Sequence, residues 1–254
     1  MKKTVISIVC IMLIILALVI GKYFNNSIRV VISFTSKIIL EKLKKKEVEV
    51  YNLSDTLYML KNSGFKEVIV QPLYMMDGSE NEKIRKEGLL YKESFKILKI
   101  NKNLFGSREL INMDAIYETA KIINKSYLKN ESILIAGHGS KINSNDIYDI
   151  IRTEACKEGN KKVYMATLEG ENTLKTAIEE MKIDKVSNIR IIPIFLIKGR
   201  HVIRDICKGD DSWKKYLEDQ CFQVEYSLKS LLQYEEIRKI YIKMIDFSEI
   251  LQKD

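Results

Sequence analysis

Two stretches of the chain, residues 53–78 (LSDTLYMLKNSGFKEVIVQPLYMMDG) and 174–199 (LKTAIEEMKIDKVSNIRIIPIFLIKG), superpose without a gap at a constant offset of 121. Leu57 falls on Ile178, Leu60 on Met181, Val68 on Ile189 and Val70 on Ile191. The chain has two prolines and they coincide, Pro72 on Pro193, while Gly78 falls on Gly199. Each copy reads as an amphipathic helix, a short aliphatic run and a loop. All βα units look somewhat alike, but the coincident prolines favour a duplication. A unit of this kind occurring twice restricts the fold to two similar α/β halves.

The rest of the chain follows the same alternation. Aliphatic runs at Ile28–Phe34, Val68–Leu73, Ile133–Ala136, Val163–Thr167, Ile189–Phe195 and Val224–Leu228 read as strands. Helical patterns such as Leu53–Asn62, Ile147–Lys157, Leu174–Lys182 and Trp213–Asp219 lie between them. Strands interleaved with helices at this spacing indicate parallel βαβ units. The runs are continuous rather than alternating, so the strands are covered on both faces. The expected fold class is α/β, two similar parallel-sheet halves facing a cleft and preceded by an N-terminal apolar helix.

That apolar segment runs from Thr4 to Gly21, 18 uncharged and mostly aliphatic residues behind Lys2 and Lys3. Its length just spans a hydrocarbon layer, and no small-x-small cleavage site precedes Lys22, which favours an uncleaved anchor over a secretory signal. The expectation is a membrane-associated protein held by a single span over residues 4–21, with its soluble domain cytoplasmic; export is the alternative. The chain then divides into an apolar segment over 1–25, an N-terminal α/β half over 26–128 and a C-terminal α/β half over 129–254. Cys10, Cys156, Cys207 and Cys221 form no C-x-x-C pair and no disulfide framework.

A net charge of +8 concerns partners rather than fold. No basic stripe interleaved with aromatics is visible, so nucleic acid is not an expected partner. The densest basic run, Glu41-Lys-Leu-Lys-Lys-Lys-Glu47, reads as the exposed end of a helix. A small polyanionic substrate suits the remaining excess.

With only His138 and His201 in the chain, a histidine-based metal site must use both. Ile133-Leu-Ile-Ala-Gly-His-Gly-Ser140 is a buried strand running into a Gly-His-Gly turn, which lets a ligand approach the backbone closely. Val163-Tyr-Met-Ala-Thr-Leu-Glu-Gly170 ends a strand on Glu169, and Ile191–His201 delivers the second histidine after a third strand. His138, Glu169 and His201 thus sit at strand carboxyl ends, where open α/β sheets bind their ligands. Two imidazoles and a carboxylate suit a borderline divalent metal. In the repeat register, Glu80 is the counterpart of His201, so each half offers one metal or proton ligand.

These segments resemble the anaerobic, sirohydrochlorin-type cobaltochelatases of the class II chelatase group. The resemblance is carried by Gly137-His-Gly-Ser140, Ala166-Thr-Leu-Glu-Gly170, Ile192–His201 and Gly209-Asp-Asp-Ser-Trp-Lys214. Ser33-Phe-Thr-Ser36 and Val70–Ile84 add to it in the N-terminal half, and the similarity covers about residues 28–245. It implies an ATP-independent metal chelatase, a lyase that inserts cobalt(II) into a sirohydrochlorin-type tetrapyrrole in anaerobic cobalamin biosynthesis. It further implies that His138 and His201 hold the divalent metal, here a substrate, and that Glu169 completes the site or accepts a pyrrole proton. No nucleotide cofactor is expected; a homo-oligomer is left open. Alternatives are a non-catalytic metal- or tetrapyrrole-binding descendant, or a chelatase for iron or nickel. The family's first strand and helix have no counterpart before Ile28, so either the N-terminal half is truncated or the apolar segment partly refills it as a strand. Arg200 and Arg204 stand where the family has an acidic residue and an asparagine.

Overall fold

The computed structural model describes residues 31–107, 110–126, 131–139, 145–157, 162–197, 199 and 201–245, without the side chains of Asn145 and His201. They form two compact units, the second made of residues 74–76 and 104–240 and the first of the remaining described residues.

In the first unit, α1 (Lys37–Lys44) starts at Ser36, whose hydroxyl accepts from the Ile39 N–H. Leu40 and Leu43 pack with Val50 and Phe34, while Lys42 and Lys44 end the helix in solvent, as the basic run suggested. Next come α2 (Leu53–Asn62), β1 (Glu67–Val70), α3 (Ser79–Leu90) and β2 (Ile97–Ile100). β1 and β2 pair in parallel from Glu67↔Ile97 to Val70↔Ile100.

The second unit contains α4 (Met113–Lys125), β3 (Ser132–Gly139), α5 (Asn145–Lys157), β4 (Val163–Glu169), α6 (Leu174–Ile183), β5 (Asn188–Pro193), α7 (Trp213–Asp219) and β6 (Gln223–Tyr226). A π-helical segment, His201–Lys208, lies between β5 and α7, and α8 (Glu235–Met244) follows β6. The sheet is parallel throughout, in the order β4-β3-β5-β6. Ile133, Leu134, Ile135 and Ala136 of β3 are completely buried, which is why that run is apolar without alternation.

The repeat is structural as well as sequential. α2 and α6 begin at equivalent positions, capped by Asn52 and Thr173, whose side chains accept from the N–H three residues on. Thr56, Leu57 and Leu60 are buried in one copy, and Ala177, Ile178 and Met181 at the same offsets in the other. β1 and β5 also start in register. Each pairs through its first residue with the first residue of the next strand in sequence, Glu67 with Ile97 and Asn188 with Gln223.

Two expectations are corrected. Ile28–Phe34 does not read out as a strand where it is described: residues 31–34 contribute only an isolated parallel bridge, Ser33↔Tyr51. The Ser36 cap commits the chain to α1 immediately afterwards. The membrane-associated localisation is likewise corrected: among the described residues no helix is long and apolar enough to cross a membrane. The longest of them, α4 and α5, have 13 residues. At ~1.5 Å per residue they reach about 20 Å, short of a hydrocarbon layer of about 30 Å. The apolar segment 4–21 itself, expected to be a helix, lies outside the described residues.

Candidate metal site

The parallel direction of β3, β4 and β5 brings their carboxyl ends to one edge of the second unit's sheet. β3 stays paired with β4 as far as Gly139↔Glu169, while its pairing with β5 stops at Ala136↔Pro193. Ile194 adds one more bond, its N–H donating to the Ala136 carbonyl at 2.9 Å, before the chain leaves toward His201. The π-helical segment that His201 opens is held by Val202, Ile206 and Cys207, all buried in the core beside Leu217 and Phe222. π-helical turns are rare and occur often at functional sites.

His138 stands one residue inside the end of β3, half-buried between two glycines that the packing requires. A Cβ on Gly137 would lie 2.4 Å from Cε1 of Tyr148. Gly139 has φ +72°, and a Cβ there would lie 1.8 Å from the Glu169 carbonyl oxygen. The sequence Gly-His-Gly is therefore set by close approaches on both sides of the histidine. The His138 Nδ1 lies 3.2 Å from the Gly139 carbonyl oxygen. In the tautomer that donates there, Nε2 keeps the lone pair that a metal ion needs. Phe195, just past β5, meets the imidazole edge-on at 6.3 Å between ring centroids.

The hydroxyl of Tyr148, on α5, accepts from two successive backbone N–H groups, those of His138 at 3.1 Å and Gly139 at 3.2 Å. Tyr148 is fully buried. Burial pushes its phenol up to about 12 against the opposing pull of the two N–H groups, so it is neutral at ordinary pH.

Glu169 closes β4 with its side chain exposed at the rim. Its backbone is fixed from below: the Thr167 hydroxyl lies 2.8 Å from the Glu169 carbonyl and 3.2 Å from that of Asn172, within donating reach of both. Strand alternation places Glu169, the register partner of Gly139, on the face opposite His138. His201 is located by its backbone alone. Among the described residues, no three His, Cys, Asp or Glu side chains converge as a ready-made metal site.

In the first unit, Glu80 is the second residue of α3, at the position the repeat equates with His201. Its Oε1 pairs with Lys83 at 2.5 Å, and that hydrogen bond holds its carboxyl below the usual range, against some desolvation. Nearby, one oxygen of Asp77 accepts from Asn81, Arg85 and Asn103 at 2.9, 2.9 and 2.7 Å.

Tyr148, Thr167 and Phe195 escape a reading of sequence. Tyr148 looks like one more buried position of α5 beside Ile147, Ile151 and Ala155, all in the core. Nothing in local spacing shows that its hydroxyl reaches back ten residues.

A family model described as cobalt chelatase (CbiK) matches residues 20–249. A sirohydrochlorin cobaltochelatase of Salmonella typhimurium is 23% identical over 184 residues, 72% of this chain and 69% of that protein. The sirohydrochlorin cobaltochelatase CbiKC of Nitratidesulfovibrio vulgaris is 24% identical over 114 residues, 44% of this chain and 40% of that protein. Among solved structures, the chain is similar to SirB from Bacillus subtilis with Fe3+, at TM-score 0.58 and 13% identity, over 85% of this chain and 90% of that one. It is also similar to the sirohydrochlorin chelatase SirB from Bacillus subtilis subspecies spizizenii in complex with cobalt. That match has TM-score 0.52 and 12% identity, over 83% of this chain and 86% of that one. At these identities the structural likeness speaks for the fold alone.

Proposed function

The chain belongs to the cobalt chelatase family, and from that premise we propose that it inserts cobalt(II) into sirohydrochlorin. The observation that carries the reading is the carboxyl edge of the β3–β4 pair, where a histidine between two obligate glycines stands beside a strand ending in Glu169. On this reading His138 and His201 hold the incoming ion. Neutral imidazoles bind a borderline cation, yet release it to a macrocycle that offers four nitrogens. The exchange is balanced by two protons: cobalt(II) replaces the hydrogens of two pyrrole N–H groups, and a base must take them. Glu169, a solvent-facing carboxylate at the rim of the sheet, is the acceptor of such a proton on this reading. The excess of positive charge favours approach of a polycarboxylate tetrapyrrole. No nucleotide takes part.

Ligand type alone does not choose among cobalt, iron and nickel. The test is insertion into sirohydrochlorin followed by absorbance, with cobalt(II), iron(II) and nickel(II) in parallel. Cobalt insertion above the protein-free rate, and faster than with the other two metals, is the expected result. Faster insertion of iron or nickel would reassign the metal. Cobalt binding without insertion of any metal would make the chain a binding protein instead of an enzyme.

A further inference from the structure

We propose that the Tyr148 hydroxyl is the positioning group of this metal site, fixing the His138 imidazole through its backbone. The inference rests on reading His138 as a metal ligand. β3 loses β5 as a partner beyond Ala136, so the N–H groups at its end can no longer all be satisfied by the sheet. Two successive ones, of His138 and Gly139, converge on a single oxygen of a fully buried side chain. That convergence forms the concavity which successive N–H groups offer to anions elsewhere; here a neutral phenol fills it.

The ring sets the distance. It lies where a Gly137 side chain would be, so Tyr148 packs directly against the strand it bonds to. Its helix is anchored by Ile147, Ile151 and Ala155, and a tyrosine has few rotamers to lose. The peptide that carries the His138 side chain is thereby tied to α5, and not only to its neighbouring strand. Phenylalanine would fill the same volume, so what tyrosine adds is the acceptor. Tyr148 therefore does for the backbone of a ligand what outer-shell groups do for its ring: it restricts orientation.

Tyr164 provides an internal control. It too is buried, but it sits at the other end of its strand, where its hydroxyl donates to Asp184 at 2.6 Å. Its loss should affect stability without touching the site. Cobalt(II) alone is titrated into untagged full-length protein and followed by its visible d–d absorption, alongside the unfolding temperature. Tyr148→Phe is expected to bind roughly 10–100-fold more weakly, with an altered visible spectrum. Tyr164→Phe should bind like wild type even where its unfolding temperature falls. Wild-type affinity and spectrum in Tyr148→Phe, with binding lost in His138→Ala, would overturn the positioning role alone. Undiminished binding in His138→Ala would overturn the ligand reading beneath it. Should Tyr148→Phe not fold, 3-fluorotyrosine at position 148 keeps the hydroxyl but weakens it as an acceptor. A changed cobalt spectrum then supports the role, and an unchanged one overturns it.

Discussion

Replacing His138 with alanine is expected to slow cobalt insertion by about 10²–10⁴-fold, the range lost when a ligand or proton-transfer group leaves a metal site. The fold should survive the change. The imidazole is half-buried, it meets Phe195 edge-on, and the strand around it is held by four buried apolar residues, Ile133 to Ala136. Removing a partly exposed ring costs about 1 kcal/mol, small beside a total stability of about 5–15 kcal/mol. Initial rates at several cobalt concentrations, with circular dichroism as the check on folding, separate the two effects. A variant within a few-fold of wild type would remove His138 from the site. Glu169→Gln should be milder, because solvent can take over part of a proton-acceptor role at an exposed rim.

Gly139→Ala is expected to damage stability and site together. The residue sits at φ +72°, where an L side chain costs about 1–2 kcal/mol. The added methyl would also meet the Glu169 carbonyl at 1.8 Å and Thr167 Cβ at 2.8 Å. Overpacking of that kind adds about 1–3 kcal/mol. The sum is a loss of about 3 kcal/mol in urea or thermal unfolding. It is relieved only by separating the ends of β3 and β4, which shifts the backbone that carries His138. Cobalt affinity should therefore fall in parallel. Unfolding within about 0.5 kcal/mol of wild type would show that the strand ends are not held as closely as the Gly139↔Glu169 pairing requires.

How far the sequence carries depends on whether the signal is local. Leu53–Asn62 and Trp213–Asp219 are helices at the limits their patterns indicate, because Asn52 and Ser212 cap them and their apolar spacing is helical. The carboxyl-end placement of His138 and Glu169 was also readable, since an unbroken apolar run ending in glycine marks a buried strand and its exit. β2 was not readable: Ile-Leu-Lys-Ile is four residues with a charge among them, and it becomes a strand by pairing with β1. Nor was the π-helical course of His201–Lys208, whose buried Val202, Ile206 and Cys207 fit a wider turn than that of an α-helix. Tyr148 failed for the same reason, because its role is a contact between α5 and the end of β3. The run Ile28–Phe34 erred in the opposite direction. It is apolar enough for a strand, but its described part, residues 31–34, gives only the Ser33↔Tyr51 bridge before the Ser36 cap starts a helix.

The account stands most directly on which side chains bind the metal, and the composition makes that measurable. The chain has two histidines, so electron spin echo spectroscopy of bound cobalt(II), with and without 15N-labelled histidine, counts imidazoles against a maximum of two in untagged protein. Two coordinated imidazoles are predicted in wild type, and one in each of His138→Ala and His201→Ala. No imidazole in wild type, or a wild-type signal in either variant, would contradict the site.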